Sequence, residues 1–463
     1  MTKNLTRQIE NYAIYLPALT PAYCEYVIRP ADAGAPASVR PRHLNFLNPN
    51  SPLYHYPWCL ASAGHFAYGN ASNAITRRDP KTTKVMGDTG GFQVATGALK
   101  AVKGWIPHRK NSDYIVKRWN ASGIRQHMLN WVEANCDYAM SLDMPLWVHE
   151  HKQEASPFHY CSVEQLTAMT VANLKYIDQH RGAVGNCKFL NVLQGQNEAD
   201  EEYWYRNVCG FDFEGWAFGT KIKRGSEIDR ILRRILLLRD SGDLSGRKEW
   251  LHILGVSEVK WAVALTAIQR GIQQTTGSSF TVSFDSSTPM KIAGQLQNYA
   301  IPPKLTRDIR SWSISAKRFP VGHAAATINA DQPFPEGSPI SSLLTLGDMN
   351  PKKSPYDKYT FGTFSPHALS NHNLYVYLRA FIDANDAAFN GGPVPQPIAD
   401  LVGLVGDLFA AEQWQSLLKS NAARLRQLFG KPGSKDDVEE YKESLHSGTQ
   451  PKRRARGRSA ASP

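Results

Sequence analysis

Three aspartates stand where short apolar runs of this sequence end. Asp88, Asp143 and Asp285 each lie at or near the C-terminal end of such a run. A carboxylate in that place can donate or accept a proton, or can attack an electrophilic carbon. The polar and glycine residues found at these run ends are Asp88, Asp143, Gln194, Gly219, Gly255 and Asp285.

Two of these aspartates lie in local motifs that allow two interpretations. Asp88 belongs to Gly87–Val94, where paired glycines let the backbone approach a ligand and Phe92 could lie flat against a base. The same pattern is also typical of a tight turn from a strand into a helix. Asp285 belongs to Ser283–Pro289, where it could do chemistry or cap the next helix. The motifs alone leave both interpretations open.

Strand and helix signals alternate around these residues. The runs are largely apolar, which suits strands buried on both faces of a parallel sheet. Between them lie segments such as Ser226–Asp240, whose apolar residues recur with a helical period. Candidate ligand groups at six run ends fit a closed barrel better than a doubly wound sheet with one main switch point. We therefore predict an α/β fold, a TIM (β/α)8 barrel. The predicted strands are Lys84–Asp88, Tyr138–Asp143, Phe189–Gly195, Gly215–Thr220, Trp250–Val256 and Phe280–Ser287.

The chain changes character after Pro289. Tyr299–Pro366 is rich in Pro, Gly, Ser and Thr and is predicted to be irregular. Leu369–Phe389 is predicted to be a helix, Gly391–Pro397 a linker, and Ile398–Phe429 two short helices.

These segments suggest three parts of the chain. Residues 1–300 form the predicted barrel domain. Residues 301–430 form a C-terminal extension of mixed irregular and helical structure, with a nucleic-acid contact as its expected role. Residues 431–463 form a polar, basic tail that we expect to be disordered.

Composition narrows the class of protein. The 463 residues carry 53 basic and 41 acidic side chains, a formal net charge of +12, which favours polyanion partners through counterion release. The six cysteines are scattered, and we expect no disulfide framework in a chain without a secretory signal. No apolar run has the length of a membrane span. We expect a cytoplasmic protein with no membrane partner.

Six segments, in the same order, resemble the motifs of the tRNA-guanine transglycosylase family. Gly87–Val94 resembles the family's D-S-G-G-[FY]-Q-V, and Phe284-Asp285 followed by Pro289 resembles its F-D-C-V-x-P. The resemblance covers the barrel, somewhat under half of the chain. The other four segments are Ser141–Asp143 for A-F-D, Val192–Gly195 for I-V-Q-G, Gly215–Gly219 for G-[FY]-A-[IV]-G, and Leu254–Val256 for M-G-V.

The resemblance implies a role for each matched residue. Asp285 falls on the family's nucleophile, which attacks the anomeric carbon and forms a glycosyl-enzyme. Asp88 falls on the general acid/base, which protonates the leaving guanine and deprotonates the incoming base. No cofactor is implied. The implied base-binding residues are Phe92, Asp143, Gln194, Gly195, Gly219, Thr220, Leu254 and Gly255.

Within that set the residue types suit a guanine-like base. Asp143 and Gln194 would bind its hydrogen-bonding edge, with a backbone amide at Gly219–Thr220. Phe92 and Leu254 would sandwich its rings.

The chain departs from the family after the nucleophile. No cysteine follows Cys209, so the family's C-x-C-x2-C…H zinc site cannot exist in its usual form. Gly219-Thr220-Lys221 stands where the family has G-G-L, and Lys291 stands where it has the arginine of P-T-R. Zinc-site and C-terminal features help hold tRNA in the family, so their absence bears on the substrate more than on the chemistry.

The closest resemblance is therefore to the family's DNA-modifying branch, the DNA-guanine transglycosylases of 7-deazaguanine systems. It implies exchange of guanine in DNA for a free 7-deazaguanine base such as preQ0, and partner proteins from a modification cluster. It also implies a place in the cytoplasm of a bacterial cell or a phage-infected host. The alternatives are a tRNA-guanine transglycosylase without the zinc site and a non-catalytic accessory subunit. The expected DNA contacts are Lys291, Lys452, Arg453, Arg454, Arg456 and Arg458.

A loop after Asp143 carries residue types that bind metals. His149, His151, His159 and Cys161 form an H-x-H…H-x-C pattern there. A polar insertion on the active-site face is the simpler interpretation, and we predict no metal site.

Overall fold

Eight parallel strands form the centre of the protein. The computed structural model describes residues 5, 11–31, 34–150, 153–219, 228–350 and 361–430. The sheet runs in the order β1-β8-β7-β6-β5-β4-β3-β2. Its strands are β1 Ile14–Pro17, β2 Trp58–Ser62, β3 Lys84–Asp88, β4 Tyr138–Met140, β5 Lys188–Leu193, β6 Gly215–Phe218, β7 Trp250–Ile253 and β8 Thr281–Ser286.

The two edge strands meet and close the sheet. Ala18, directly after β1, forms a parallel bridge with Leu60 of β2. The N–H of Leu19 donates to the carbonyl of the same Leu60 at 2.9 Å. Helices follow the strands along the chain, so the protein is a TIM-type α/β barrel, as the sequence predicts.

The outer helices are numbered here in chain order. Pro41–Leu44, Leu146–His149, Ile309–Ser311 and Pro339–Ser342 are 3-10 turns. The α-helices are α1 Pro21–Tyr26, α2 Ala63–Phe66, α3 Gly91–Ala95, α4 Ser112–Asn120, α5 Ile124–Asn135, α6 Val163–His180, α7 Glu198–Val208, α8 Ile228–Asp240, α9 Val259–Thr276, α10 Thr288–Gly294, α11 His323–Ala326, α12 Leu346–Met349, α13 Phe364–Phe389, α14 Gln396–Ala410 and α15 Trp414–Phe429.

Most predicted strands extend beyond the observed ladder at their C-terminal ends. β3 has the predicted bounds, whereas β4 stops at Met140, β6 at Phe218 and β7 at Ile253. The next residues of each run leave the ladder at the rim of the barrel. The polar and glycine groups that mark the run ends therefore lie in loops over the barrel mouth, where substrates bind in this fold.

Side chains fill the barrel interior below that mouth. At the N-terminal end, the ring of Trp250 lies 4.4 Å from that of Tyr138 and 5.3 Å from that of Trp58, measured between centroids. Large side chains from alternate strands pack in layers above them, as is usual for this fold. Among the described residues, the N-terminal end of the barrel is therefore packed with aromatic side chains. The apolar interior residues are Ile14, Leu16, Ala18, Trp58, Leu60, Met86, Tyr138, Met140, Leu190, Val192, Ala217, Trp250 and Leu254.

Helix α13 covers the barrel where β8 and β1 meet. The ring of its Phe381 lies 4.8 Å from Tyr15 on β1 and 5.3 Å from Phe284 on β8. It thus occupies the place of the barrel's eighth outer helix. Between β8 and α13 the chain makes a long excursion that includes an antiparallel hairpin, β9 Asn298–Ile301 with β10 Ser315–Arg318. The domain boundary predicted between residues 300 and 301 falls inside β9.

The last two helices pack on the outside of the barrel. Arg426 of α15 pairs with Asp229 of α8, and Lys260 of α9 donates to the carbonyl of Leu428 at 2.6 Å. The predicted linker ends early, because α14 starts at Gln396 with a proline in its first turn, a favourable place for proline. In the part of the chain that the structure describes, no helix is both long enough and apolar enough to cross a membrane.

Candidate active site

The barrel mouth brings the three aspartates and most of the predicted base-binding residues to one end of the molecule. Asp88 is the last residue of β3, and Asp285 is the next-to-last residue of β8. Asp143 and Gln194 follow β4 and β5 by one to three residues, and Phe92 lies in the first turn of α3. The remaining members are Gly195, Gly219, Leu254 and Gly255, each directly after or close to the end of β5, β6 or β7. Thr220 lies outside the described residues.

Asp285 is buried and held through one of its two oxygens. The N–H of Gly255 donates to Oδ1 at 2.9 Å, and Nε2 of His252 lies 3.3 Å from the same oxygen. Among the described residues, no group donates a hydrogen bond to Oδ2. The alternative role as a helix cap does not apply, since Ser287 occupies the N-cap position of α10. The geometry leaves Oδ2 available to a substrate at the barrel mouth.

Asp88 lies in surroundings that favour its protonated form. Burial raises the pKa of the Asp88 carboxyl above its ordinary value, and the negative charge of Asp285 raises it further. The N–H of Gly90 donates to Oδ1 at 3.0 Å, and this bond and the hydroxyl of Ser62 act in the opposite direction. A carboxyl with a raised pKa is suited to donate a proton at neutral pH.

Asp143 and Gln194 form a buried pair across neighbouring strands. Nε2 of Gln194 donates to Oδ2 of Asp143 at 2.6 Å. The pKa of Asp143 is raised to about 7, chiefly by burial and also by the charge of Asp88, while the hydrogen bond from the Gln194 amide acts in the opposite direction. Oδ1 of Asp143 takes no part in the bond to Gln194. The pair presents both acceptor and donor groups, which can bind the edge of a purine.

Two glycines give this pair the space it occupies. A Cβ at Gly91 would lie 2.9 Å from Oδ1 of Asp143, and a Cβ at Gly219 would lie 2.5 Å from Nε2 of Gln194. Both distances are too short for a side chain. Glycine at positions 91 and 219 therefore leaves the space that the side chains of Asp143 and Gln194 occupy.

The raised pKa of Asp143 predicts a stability change with pH. Between about pH 4 and pH 7 the folded protein keeps a proton that the unfolded chain loses, so the free energy of unfolding falls as pH rises. Asp143→Asn removes this cost. We expect the variant to equal the wild type near pH 4 and to be more stable at pH 8, by up to ~4 kcal/mol. Urea unfolding of the ligand-free protein at both pH values measures it.

Asp331→Asn, at an exposed position, is the matched control and should show no such pH-dependent gain. Equal destabilisation of Asp143→Asn at both pH values would contradict the charge-burial argument, because it would mean that the contribution of Asp143 to stability does not depend on its charge.

An aromatic wall lies beside the predicted base site. The ring of Phe92 is 5.4 Å from that of Trp147, with 40° between the ring planes. Phe92 is half-buried, so part of its face remains open, while Trp147 is buried. Sequence reasoning missed Trp147. The available signal was a tryptophan only four residues after Asp143, in a loop that must lie over the barrel mouth.

The histidine-rich loop bonds mostly to itself. Nε2 of His149 lies 2.5 Å from the carbonyl oxygen of Cys161, and Nδ1 of His159 lies 2.7 Å from that of Val148. His151 lies outside the described residues. In the described ranges no group of three or more His, Cys, Asp or Glu side chains could hold a metal ion. The absence of a metal site in the whole protein stays a prediction.

The predicted nucleic-acid contacts are only partly visible. Lys291 lies on α10, directly after β8, and is half-buried. The basic tail residues Lys452, Arg453, Arg454, Arg456 and Arg458 lie outside the described residues.

Sequence reasoning also missed two histidines at the site. His252 is fully buried in β7 below Asp285, and its signal was a polar residue at the centre of an apolar strand. His65, in α2, lies with Nε2 2.9 Å from Nε2 of Gln93, and its charge would lower the pKa of Asp88. No motif marks His65 in the sequence.

Comparison with protein-family models and with curated proteins finds no match to this chain. The resemblance of the six motifs to that family stays a prediction.

Proposed function

We propose that this protein is a base-exchanging transglycosylase that replaces guanine in DNA with a free 7-deazaguanine-type base. The observation that carries the proposal is the pair Asp88 and Asp285, two carboxyls at the ends of β3 and β8 with different surroundings, the first half-buried and the second buried. Enzymes that cleave glycosidic bonds with retention use such a pair, one carboxyl as acid/base and one as nucleophile.

The proposed reaction has two steps. In the first, Oδ2 of Asp285 attacks C1′ of the nucleotide, the bond from C1′ to guanine breaks, and Asp88 gives its proton to the departing base. In the second, the incoming base attacks C1′, the bond to Oδ2 breaks, and Asp88 takes the proton from that base. The covalent step replaces one difficult displacement with two easier ones.

The Asp143–Gln194 pair supports a guanine-like base as the exchanged group. An ionised Asp143 can accept both from N1–H and from the exocyclic amine of such a base, whereas adenine offers no matching pair of donors. Phe92 and Trp147 add an aromatic wall against which a base could stack.

The positive charge of the segment between β8 and α13 supports a nucleic-acid partner. Between residues 301 and 320 the chain carries five basic side chains and one acidic one, and Asp308 is paired with Arg310. Such a surface suits a phosphate backbone. DNA rather than tRNA is favoured because no cysteine follows Cys209, which removes the zinc site that accompanies tRNA use in the family. The five exposed basic residues are Lys304, Arg307, Arg310, Lys317 and Arg318.

A direct competition tests the substrate. Labelled guanine or preQ0 is incubated with the protein and equal amounts of guanine-containing DNA and unmodified tRNA. We expect the label to enter DNA, with single-stranded or locally open sites favoured, since a paired guanine must first leave the stack. Removal of the residues after Gln450 should weaken DNA binding and flatten its salt dependence.

The two other outcomes separate the alternatives. Label in tRNA alone would overturn the DNA assignment and leave a transglycosylase. Binding of nucleic acid without exchange of any base would indicate an accessory subunit.

A further inference from the structure

His252 lies inside the barrel directly below the proposed nucleophile. It is at the centre of β7, opposite Ser283 of β8 and Ala217 of β6. Trp250, two residues earlier on the same strand, and Leu254, directly after its end, line the barrel interior. His252 itself has no exposed surface. A fully buried imidazole needs partners for both ring nitrogens, because an unpaired polar atom in the interior costs free energy.

One ring nitrogen of His252 belongs to a short chain of hydrogen bonds. Nε1–H of Trp250 donates to Oγ of Ser283 at 2.7 Å, and Nδ1 of His252 lies 2.9 Å from the same Oγ. An indole nitrogen can only donate, so Oγ accepts from Trp250. Oγ keeps its own proton, which Ser283 can donate to Nδ1 of His252.

The other ring nitrogen faces Asp285. When Nδ1 accepts from Ser283, the ring carries its N–H on Nε2. Nε2 lies 3.3 Å from Oδ1 of Asp285 but has no aligned hydrogen-bond partner among the described residues. A small rotation of either side chain would align the N–H with the carboxylate. The N–H on Nε2 of His252 therefore lies close enough to donate a hydrogen bond to the Asp285 carboxylate.

We propose that His252 is a positioning residue for the transfer reaction, holding Oδ1 of Asp285 together with the Gly255 N–H and so reserving Oδ2 for the sugar carbon. This inference rests on the proposed function. Its largest effect is on the second step, when the bond from C1′ to Oδ2 breaks and the electron pair returns to the carboxylate. The Nε2–H group stabilises that returning charge through Oδ1.

A first measurement locates the ring proton of His252 and does not depend on any reaction. Nitrogen-15 spectra of histidine side chains are recorded on the full-length protein, and the His252 signals are identified by their loss in His252→Gln. We expect the proton on Nε2, and we expect Ser283→Ala, which removes the hydroxyl that donates to Nδ1, to change the His252 signals. A proton on Nδ1 in the wild type would overturn the proposal.

A second measurement reads the effect on exchange of labelled guanine into guanine-containing DNA. His252→Phe keeps the ring volume and removes both nitrogens. We expect it to lower kcat by ~10²-fold, the scale of losing one preorganised donor, with KM for guanine nearly unchanged. His252→Gln retains a terminal N–H and should recover most of the rate. His180→Phe, an exposed position at the far end of α6, is the control and should match the wild type.

The outcomes are distinguishable from failure of the proposed function. Wild-type kcat in His252→Phe, or a loss in both variants accompanied by a rise in KM, would overturn the positioning role. If the wild type exchanges no base at all, the proposed function fails, and the nitrogen-15 spectra still decide how His252 is held against Asp285.

Discussion

Asp285→Asn is expected to reduce the exchange of labelled guanine into DNA to background. The amide oxygen is a poor nucleophile, so no bond to C1′ can form at that position. The substitution keeps the size of the side chain and its oxygen for the Gly255 N–H, which donates at 2.9 Å in the wild type. The fold and the affinity for DNA should therefore remain close to those of the wild type. Initial rates of label incorporation, with DNA binding measured in parallel, check both statements.

The matched control is Asp331→Asn, which removes one carboxylate at an exposed site and should exchange at the wild-type rate. Exchange by Asp285→Asn at anything near that rate would remove Asp285 from the chemistry and, with it, the covalent step.

Asp88→Asn is expected to slow exchange by at least ~10²-fold, the usual scale for loss of a general acid/base. Burial and the nearby charge of Asp285 raise the pKa of Asp88, so the wild-type carboxyl can supply the proton that the leaving guanine needs. An amide cannot supply it, and it cannot take the proton from the incoming base. Rates at saturating DNA and base, compared with those of the wild type, measure the effect.

The effect should appear in kcat with the DNA affinity largely retained. If only affinity fell and the chemical rate stayed intact, Asp88 would be a binding residue, and another group would have to protonate the base.

Much of the fold follows from the sequence, because six of the eight barrel strands carry a recognisable signal. Each combines an apolar run with a polar or glycine end, and β3 matches its predicted bounds. The predicted strands do not include β1 and β2, although β2, Trp58–Ser62, is also an apolar run with a polar end. β1 has only four residues and is defined by its pairing with β8, a contact that local sequence patterns do not encode. The sequence also does not show that α13 packs against β8 and β1, because residues 295 to 363 separate α13 from β8 in the chain.

Some residues of the candidate site could likewise be predicted from local motifs, and others could not. Asp88, Asp143 and Asp285 stand in recognisable motifs, and the structure places all three at the barrel mouth. His252 and Trp147 do not stand in such motifs. Their relation to the site depends on which face of β7 turns inward and on how the loop after Asp143 folds back, and both are set by packing between distant parts of the chain.

The covalent intermediate on Asp285 is the central claim, and peptide mass mapping tests it most directly. The protein is incubated with a short guanine-containing DNA and no incoming base, then denatured and digested with protease and nuclease. The account predicts a deoxyribose-phosphate adduct on the peptide that contains Asp285, lost in Asp285→Asn and discharged when guanine or preQ0 is added before denaturation. An adduct on any other residue, or guanine exchange by the wild type with no trapped adduct, would contradict it.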